Sequence, residues 1–166
     1  MKQNAPGLYD RILLLKQSAV FGQVKTEDLK VVAQSLQEER YFSGDRVFDI
    51  GEYGDCMYII QAGRVGIALE KINRSHPAFV TELGKGECFG EMNLFDDLPR
   101  SASACVIDDA ILLSLEKSRL RALIINYPEL GLGMLKALSL RLRQANSQTR
   151  QKPHNRAGSS RHLTDR

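Results

Sequence analysis

Residues 86–104 contain the side chains whose types and spacing best suit the binding of an anion. Arg100 can offer a planar fork of N–H donors to two phosphate oxygens. Glu91 only accepts hydrogen bonds, so its carboxylate suits sugar hydroxyls rather than phosphate. Phe89-Gly90-Glu91 is predicted to end a strand and begin a short helical turn, whose free backbone N–H groups would add donors. Gly90 would let the backbone approach a ligand closely.

A second interpretation of the same two charges is structural. Glu91 and Arg100 could form an ion pair across the loop, and their spacing alone does not separate this alternative from a binding site. Within the predicted short turn, we expect Met92, Leu94 and Phe95 to be the apolar anchors.

Residue types that bind metals or act as nucleophiles are few and scattered. Cys56, Cys88 and Cys105 are odd in number and form no CxxC pair, which indicates reduced thiols in or near a core. The sequence has three histidines, with no HxH or HExxH pair and no P-loop signature. It therefore predicts no metal site, no cofactor and no enzyme activity. A cupin-type enzyme is the alternative, but it would need more histidines in the strand region than His76.

The chain has 166 residues, 43% of which are hydrophobic. This length and composition are sufficient for one domain with a buried core. Charge is distributed unevenly along the sequence. The net charge is +3, but residues 141–166 hold seven Arg or Lys and one Asp, whereas residues 1–140 hold sixteen Arg or Lys and nineteen Asp or Glu. The predicted body is mildly acidic, which makes a nucleic-acid partner unexpected. Regulation of DNA through the basic C-terminal end stays an alternative.

No apolar run approaches the roughly 20 residues that span a bilayer. The apolar run Ile12–Leu15 is too short for a signal-peptide core and follows Asp10 and Arg11. The sequence therefore predicts a cytoplasmic protein without a membrane partner.

The elements that must position the charged segment begin with two helices within residues 1–39. Leu8, Ile12 and Leu15 recur at helical spacing in the first helix. Thr26 is predicted as the N-cap of the second helix, ahead of two acidic residues in its first turn. The buried stripe of that second helix is predicted to be Leu29, Val32 and Leu36.

Residues 40–116 change to short runs of Val, Ile, Tyr and Phe divided by glycines, which is typical of strands and turns. Residues 57–60 and 65–69 are predicted to form a β-hairpin around Gln61-Ala62-Gly63. Residues 79–83 form another predicted strand, and residues 102–107 and 110–115 form two more, joined by a turn at Asp108-Asp109. The expected fold class is α+β, mainly β: a small antiparallel β-barrel or jelly roll with flanking helices at both ends.

Residues 117–147 are predicted to return to helices. The first covers residues 117–126, and Pro128 opens the second as its first residue. That second helix carries the stripe Leu135, Leu138, Leu142 and Ala145, which could pack in the core, form a lid or form the seam of a homodimer. Residues 148–166 are polar, basic and without periodicity, so we expect a disordered tail.

The segment 86–104 resembles the phosphate-binding cassette of cyclic-nucleotide-binding domains, where F-G-E, a hydrophobic short helix and P-R-[ST]-A follow one another. The matching residues are Phe89-Gly90-Glu91 and Pro99-Arg100-Ser101-Ala102. Residues 48–60 resemble the family's hairpin F-x-x-G-[ED]-x-x-[DN]-x-[FLM]-Y-[IV]-[IV], and residues 61–65 resemble its x-x-G-x-[VL] turn. In all, the resemblance covers roughly residues 10–145.

The resemblance implies a role for each matching residue. Arg100 would pair with the exocyclic oxygens of a cyclic phosphate, and the backbone N–H groups of Ser101 and Ala102 would bind the same phosphate. Glu91 would take the ribose 2′-OH, with backbone contacts from Gly90. The rest of the expected ligand-binding set consists of Phe89 and Met92 in the cassette and of Ile67 and Thr81, which would wall the base from the strands.

The function implied by the resemblance is a regulatory sensor that binds a cyclic nucleotide and acts on an unknown effector protein. Cyclic AMP is the expected ligand, and cyclic GMP or a cyclic dinucleotide are alternatives. Binding would pull the cassette inward, shift the short helix around Leu94 and Phe95 and repack the C-terminal helices. Asn93 departs from the family, which usually has Ala or Gly there. It could add a polar contact or alter the short helix.

Overall fold

The chain begins with two short helices in the computed structural model, which describes residues 7–73 and 78–150. These are α1 (Leu8–Gln17) and α2 (Thr26–Ser35). The N-cap of α2 is Lys25, so the prediction of Thr26 as the cap is wrong by one residue: the Lys25 carbonyl already accepts the first helical hydrogen bonds. The predicted stripe of α2 is buried, as expected. No helix of the described residues is long and apolar enough to cross a membrane.

Six strands of the described residues form one antiparallel sheet. The order is β1-β6-β3-β4, with β2 paired to β6 and β5 paired to β3. This α+β arrangement is jelly-roll-like, as expected, although the sheet does not close into a barrel over the described strands. The bounds are β1 Gln37–Tyr41, β2 Arg46–Phe48, β3 Cys56–Ala68, β4 Thr81–Leu83, β5 Cys88–Phe89 and β6 Ser103–Glu116.

Strands β3 and β6 are long and continuous, and two predicted turns are therefore wrong. β3 runs through residues 61–63 without a hairpin, and β6 runs through residues 108–109 without a turn. The two strands pair along their length, and their register shifts three times between Ile60 and Val65. Gly63 has a φ of +86°, a conformation that favours glycine. It marks a β-bulge that bends the strand instead of reversing it.

Two buried clusters hold the sheet and the helices together. The larger cluster joins the helices to Met57 and Ile59 of β3, and it includes Leu94 from the segment 86–104. The smaller cluster lies between the strands and includes Phe48 and Phe89. Phe89 thus fixes β5 in the smaller cluster, and Leu94 fixes the segment that follows in the larger one. The expectation that Met92 and Phe95 are anchors is wrong, because both side chains are exposed.

The C-terminal helices are α3 (Lys117–Asn126) and α4 (Pro128–Arg150), and Pro128 opens α4 as predicted. The buried face of α4 carries Leu130, Met134 and Ala137. Of the three alternatives for the predicted stripe, packing in the core is wrong, because Leu135 and Leu142 are 64% and 63% exposed. The helix also continues to Arg150, past the predicted boundary at residue 147; the remainder of the predicted disordered tail lies outside the described residues.

Candidate functional site

A cavity of about 210 Å³ opens beside a short 3₁₀-helix, Glu91–Leu94, and most of the predicted ligand-binding residues line it. Thr81 does not line the cavity; it is exposed and pairs with Ile67 across β4 and β3. The cavity lies between β3, which contributes Ile67, and the segment between β5 and β6. The predicted residues that line the cavity are Ile67, Phe89, Gly90, Glu91, Met92, Arg100, Ser101 and Ala102.

Arg100 is the buried charge of this cavity, with only 5% of its surface exposed. Its backbone N–H donates to the Glu52 carbonyl at 2.7 Å, and its own carbonyl accepts from the Gly51 N–H at 2.9 Å. The guanidinium lies 4.0 Å from the centroid of the Phe48 ring, a favourable cation–π position. Burial lowers the pKa of the guanidinium, yet an arginine stays charged at neutral pH.

The Arg100 side chain uses only some of its five N–H donors within the protein. Nη1 donates to the Gly90 carbonyl at 3.2 Å and to Asn93 Oδ1 at 3.1 Å, and Nη2 donates to the Cys56 carbonyl at 2.8 Å. Nε is buried and has no hydrogen-bond partner among the described residues. The Nε–H and the second Nη2–H are left over, and two such donors suit a bidentate anion.

Two glycines leave the space that the Arg100 guanidinium occupies. A Cβ at Gly54 would lie 2.6 Å from Arg100 Nη2 and 2.8 Å from Nε, and a Cβ at Gly90 would lie 2.7 Å from Nη1. Gly90 also needs glycine for its φ of +72°, at the N-cap of the short helix. The backbone of Gly54 has no positive φ, so at this position glycine is required for space alone.

Replacing Gly54 with alanine is expected to displace the Arg100 guanidinium. It should weaken binding of an anionic ligand, with cyclic AMP as the probe, roughly 10- to 100-fold, as the loss of one or two charge-assisted hydrogen bonds would. Titration calorimetry measures the affinity. Gly84→Ala is the matched control, because a Cβ at Gly84 meets nothing within 4 Å and its φ is not positive. Equal affinities of the two variants would show that Arg100 does not need its present position.

Three aromatic rings support the arginine. Tyr58 and Phe89 are stacked with centroids 5.2 Å apart, and Phe48 lies 5.9 Å from Phe89. Burial raises the pKa of Tyr58 to about 12 and that of the Cys88 thiol, which lines the cavity, to about 11. Both groups are therefore neutral at pH 7, and neither places a negative charge near Arg100.

Glu91 forms an ion pair with α4 instead of with Arg100. Arg141 Nη1 donates to Glu91 Oε1 at 3.2 Å. The structural interpretation of the segment, a Glu91–Arg100 pair across the loop, is therefore wrong for the described residues. The Glu91 side chain is 17% exposed and that of Arg141 is 46% exposed. The contact links the last helix to a residue that lines the cavity.

Ser101 and Ala102 follow Arg100 directly and also line the cavity. Among the hydrogen bonds of the described residues, none uses the backbone N–H of either residue. The Ser101 hydroxyl makes only a weak contact of 3.7 Å with Met92 Sδ. Two unpaired amides beside a buried arginine add further donors for an anion.

Sequence reasoning missed two residues that hold this arrangement together. The glycines of residues 40–116 predict turns only, but Gly54 also makes room for Arg100 because it has no side chain. Arg141 lies 50 positions from its partner Glu91, and nothing in the local sequence signals a contact at that separation. Asn93 did carry a signal, its departure from the expected small residue. It adds a polar contact, since it is 5% exposed and bonds to Arg100.

Comparisons with known proteins agree with this geometry. The family model described as the cyclic nucleotide-binding domain matches residues 38–127. The chain is 33% identical over 138 residues to a CRP-like cAMP-activated global transcriptional regulator of Mycobacterium tuberculosis, covering 81% of this chain and 59% of that protein.

Solved structures with the same fold come from bacterial and eukaryotic regulators. The N-terminal domain of a transcriptional regulator from Streptomyces coelicolor has a TM-score of 0.71 at 26% identity, covering 84% of this chain and 96% of that one. The regulatory domain of Toxoplasma gondii PKA with cAMP has a TM-score of 0.62 at 26% identity, covering 70% and 44%. The chain spans about three fifths of the length of the bacterial curated relatives.

Proposed function

Because the chain belongs to the cyclic nucleotide-binding domain family, we propose that the cavity beside the short 3₁₀-helix binds cyclic AMP and that the chain acts as a regulatory sensor. The single observation that carries this proposal is the buried Arg100, a residue that lines the cavity and whose Nε–H has no partner among the described residues. A buried donor of this kind costs free energy unless a ligand satisfies it. A phosphate monoanion supplies the acceptor.

The ribose is assigned to Glu91. Its carboxylate lines the cavity together with Arg100 and accepts a hydrogen bond from Arg141 through one oxygen. A carboxylate has several acceptor sites, so it can bind a hydroxyl without losing the arginine. Cyclic AMP is named as the ligand because relatives are named as cAMP-activated regulators and as regulatory subunits of cAMP-dependent protein kinase.

Replacing Glu91 with alanine is expected to weaken cyclic AMP binding about tenfold, the size of one hydrogen bond to a charged group. The same variant should no longer prefer cyclic AMP over 2′-deoxy cyclic AMP, which lacks the hydroxyl that donates a hydrogen bond to Glu91. Calorimetric titration of both ligands measures this. Glu27→Ala removes an exposed carboxylate of α2 as the control. Undiminished preference for the 2′-hydroxyl in Glu91→Ala would contradict the assignment.

The signal is proposed to pass through contacts between the segment 86–104 and the C-terminal helices. Lys117, the first residue of α3, donates to the Asp96 carbonyl and to Asp97 Oδ1, both at 2.6 Å, and this ammonium holds the pKa of Asp97 below its usual range. Leu94 packs in the same cluster as Leu120 of α3. A ligand that moves the short helix would therefore move α3, and through Arg141 it would also move α4.

The exposed stripe of α4 supports either a lid over the ligand or the seam of a homodimer. Large apolar side chains are left uncovered on this helix, Leu135 and Leu142 among them. Light scattering of the chain with and without cyclic AMP separates the two: a dimer seam doubles the mass, whereas a lid leaves it unchanged.

The proposed ligand is tested by thermal denaturation against a panel of cyclic AMP, cyclic GMP, cyclic di-GMP and linear AMP. A ligand that binds only the folded state raises the melting temperature. The largest rise is expected with cyclic AMP and the smallest with AMP. AMP carries an extra negative charge, and Arg100 is the one cation among the described residues that line the cavity. A rise confined to a cyclic dinucleotide would replace cyclic AMP as the ligand, and no rise with any of them would overturn the proposal.

A further inference from the structure

Asn93 is a buried amide in the middle of the short helix, next to the Arg100 guanidinium. Only 5% of its surface is exposed. Its Oδ1 accepts from Arg100 Nη1 at 3.1 Å, and its Nδ2 donates to the Leu98 carbonyl at 2.6 Å. Both ends of the amide are therefore hydrogen-bonded, as burial of a polar group requires, and one of the two partners is the arginine of the cavity.

The two hydrogen bonds of Asn93 close a ring within the segment. One bond ties the short helix to the Arg100 side chain, and the other ties it to Leu98, two positions before Arg100 and next to Pro99. The arginine is thus held at its backbone by Gly51 and Glu52 and at its tip through Asn93. Fixing both ends of a long side chain removes rotamers that would otherwise be lost on binding.

The acceptors around Arg100 also determine which N–H groups of its guanidinium remain available for a ligand. Nη1 points to two acceptors, Asn93 Oδ1 and the Gly90 carbonyl, and Nη2 has the Cys56 carbonyl. Nε remains without a partner among the described residues. Without Asn93, Nη1 would keep a single acceptor at 3.2 Å, and the orientation of the guanidinium would depend on the Cys56 carbonyl and the Phe48 ring.

We propose that Asn93 is a positioning residue that fixes the Arg100 guanidinium so that its Nε–H and one Nη2–H meet the ligand phosphate. This inference rests on the proposed function, because it gives Arg100 a phosphate to bind. Asn93 acts through the arginine and needs no contact with the nucleotide.

A double-mutant cycle tests the proposal, with cyclic AMP as the probe and calorimetric affinity as the readout. Asn93→Ala is expected to weaken binding about tenfold in the natural chain, the size of one hydrogen bond to a charged group. In an Arg100→Lys background the same substitution is expected to cost less than about twofold, because lysine has no planar fork for Asn93 to orient. Asn126→Ala is the matched control, because Asn126 is an exposed asparagine at the end of α3.

The outcomes separate this inference from the proposed function. A tenfold loss by Asn93→Ala in both backgrounds would show that Asn93 acts without the arginine, either by supporting the loop or by contacting the nucleotide in the cavity that it also lines. Unchanged affinity in the natural chain would also overturn its positioning role. Unchanged affinity in Arg100→Lys and in Arg100→Ala would instead overturn the phosphate site itself. Melting temperatures of the free variants identify any loss that comes from unfolding.

A second measurement uses the unaltered chain and does not depend on the stability of a variant. In nuclear magnetic resonance spectra, the Asn93 side-chain amide is expected to exchange slowly with water and to shift little when cyclic AMP is added, whereas the Arg100 Nε–H signal shifts strongly. Rapid exchange of the Asn93 side-chain amide in the free protein would overturn the inference. So would a large change in the chemical shift of that amide when cyclic AMP is added, because it would mean that the hydrogen bond to Arg100 breaks on binding.

Discussion

Replacing Arg100 with alanine is expected to weaken cyclic AMP binding about 100- to 1000-fold, equivalent to roughly 3–5 kcal/mol. The variant removes the buried positive charge of the cavity and the two donors that the protein itself leaves unused. A bidentate, charge-assisted contact to phosphate is among the strongest single interactions available to a side chain. Titration calorimetry of the variant against cyclic AMP measures the loss.

Two controls accompany this prediction. Arg100→Ala leaves the Gly90 and Cys56 carbonyls and Asn93 Oδ1 without their present donor, so the melting temperature must show that the variant is folded. Arg100→Lys keeps the charge without the fork and is expected to bind at an intermediate affinity. Arg40→Ala removes an arginine whose side chain is 68% exposed and should bind normally. A folded Arg100→Ala variant with natural affinity would refute the site.

Replacing Gly63 with alanine is expected to lower the free energy of unfolding by about 2–4 kcal/mol, the sum of backbone strain and overpacking. Its φ of +86° disfavours any side chain. A Cβ there would also lie 2.7 Å from Ala110 Cα and against the Asp109 carbonyl of β6. Urea denaturation, followed by far-UV circular dichroism, measures the change.

Gly44→Ala separates the two contributions to this loss. Gly44 has the same φ of +86°, but a Cβ there meets nothing within 4 Å, so it reports backbone strain alone, about 1–2 kcal/mol. The difference between the variants measures how closely β6 approaches β3 at the bulge. Equal losses would mean that the two strands separate at residue 63, as the predicted hairpin would require.

The segment 86–104 could be located from the sequence because its chemistry is local. Gly90, Glu91 and Arg100 lie within ten positions of one another, inside a continuous motif that resembles the cassette of a known family. Their donor and acceptor types suit phosphate and ribose, and the motif as a whole favours a binding site over an ion pair. The neighbours of Arg100 could not be predicted in the same way. Gly54 and Arg141 reach the site from distant parts of the chain, and only the fold brings them there.

The sequence around Gly63 predicts a turn where the structure has a bulge, because the two have the same local signature. Glycine between two alternating apolar runs satisfies both a hairpin and a bulged strand. The partner strand decides between them, because β6 pairs with both halves of β3 and holds them as one bent strand. A single sequence does not show that long-range pairing.

The α4 helix offers two apolar stripes of helical spacing, and the sequence does not rank them. Leu130, Met134 and Ala137 are buried, whereas Leu135 and Leu142 are exposed. The buried face contains Gly133, where a Cβ would lie 2.9 Å from Val24 Cα. Glycine on that face permits close approach to the N-terminal region, so the less leucine-rich stripe packs inward.

The most direct test of the central claim is a titration of ¹⁵N-labelled protein with cyclic AMP, following the backbone amide and Arg100 Nε–H signals. The account predicts saturable binding at one site, with the largest shifts at Gly90, Arg100 Nε–H and the amides of Ser101 and Ala102. The absence of saturable binding would contradict it. So would saturable shifts centred on the separate cavity lined by Ser43, Asp45 and Cys105, with Arg100 unaffected.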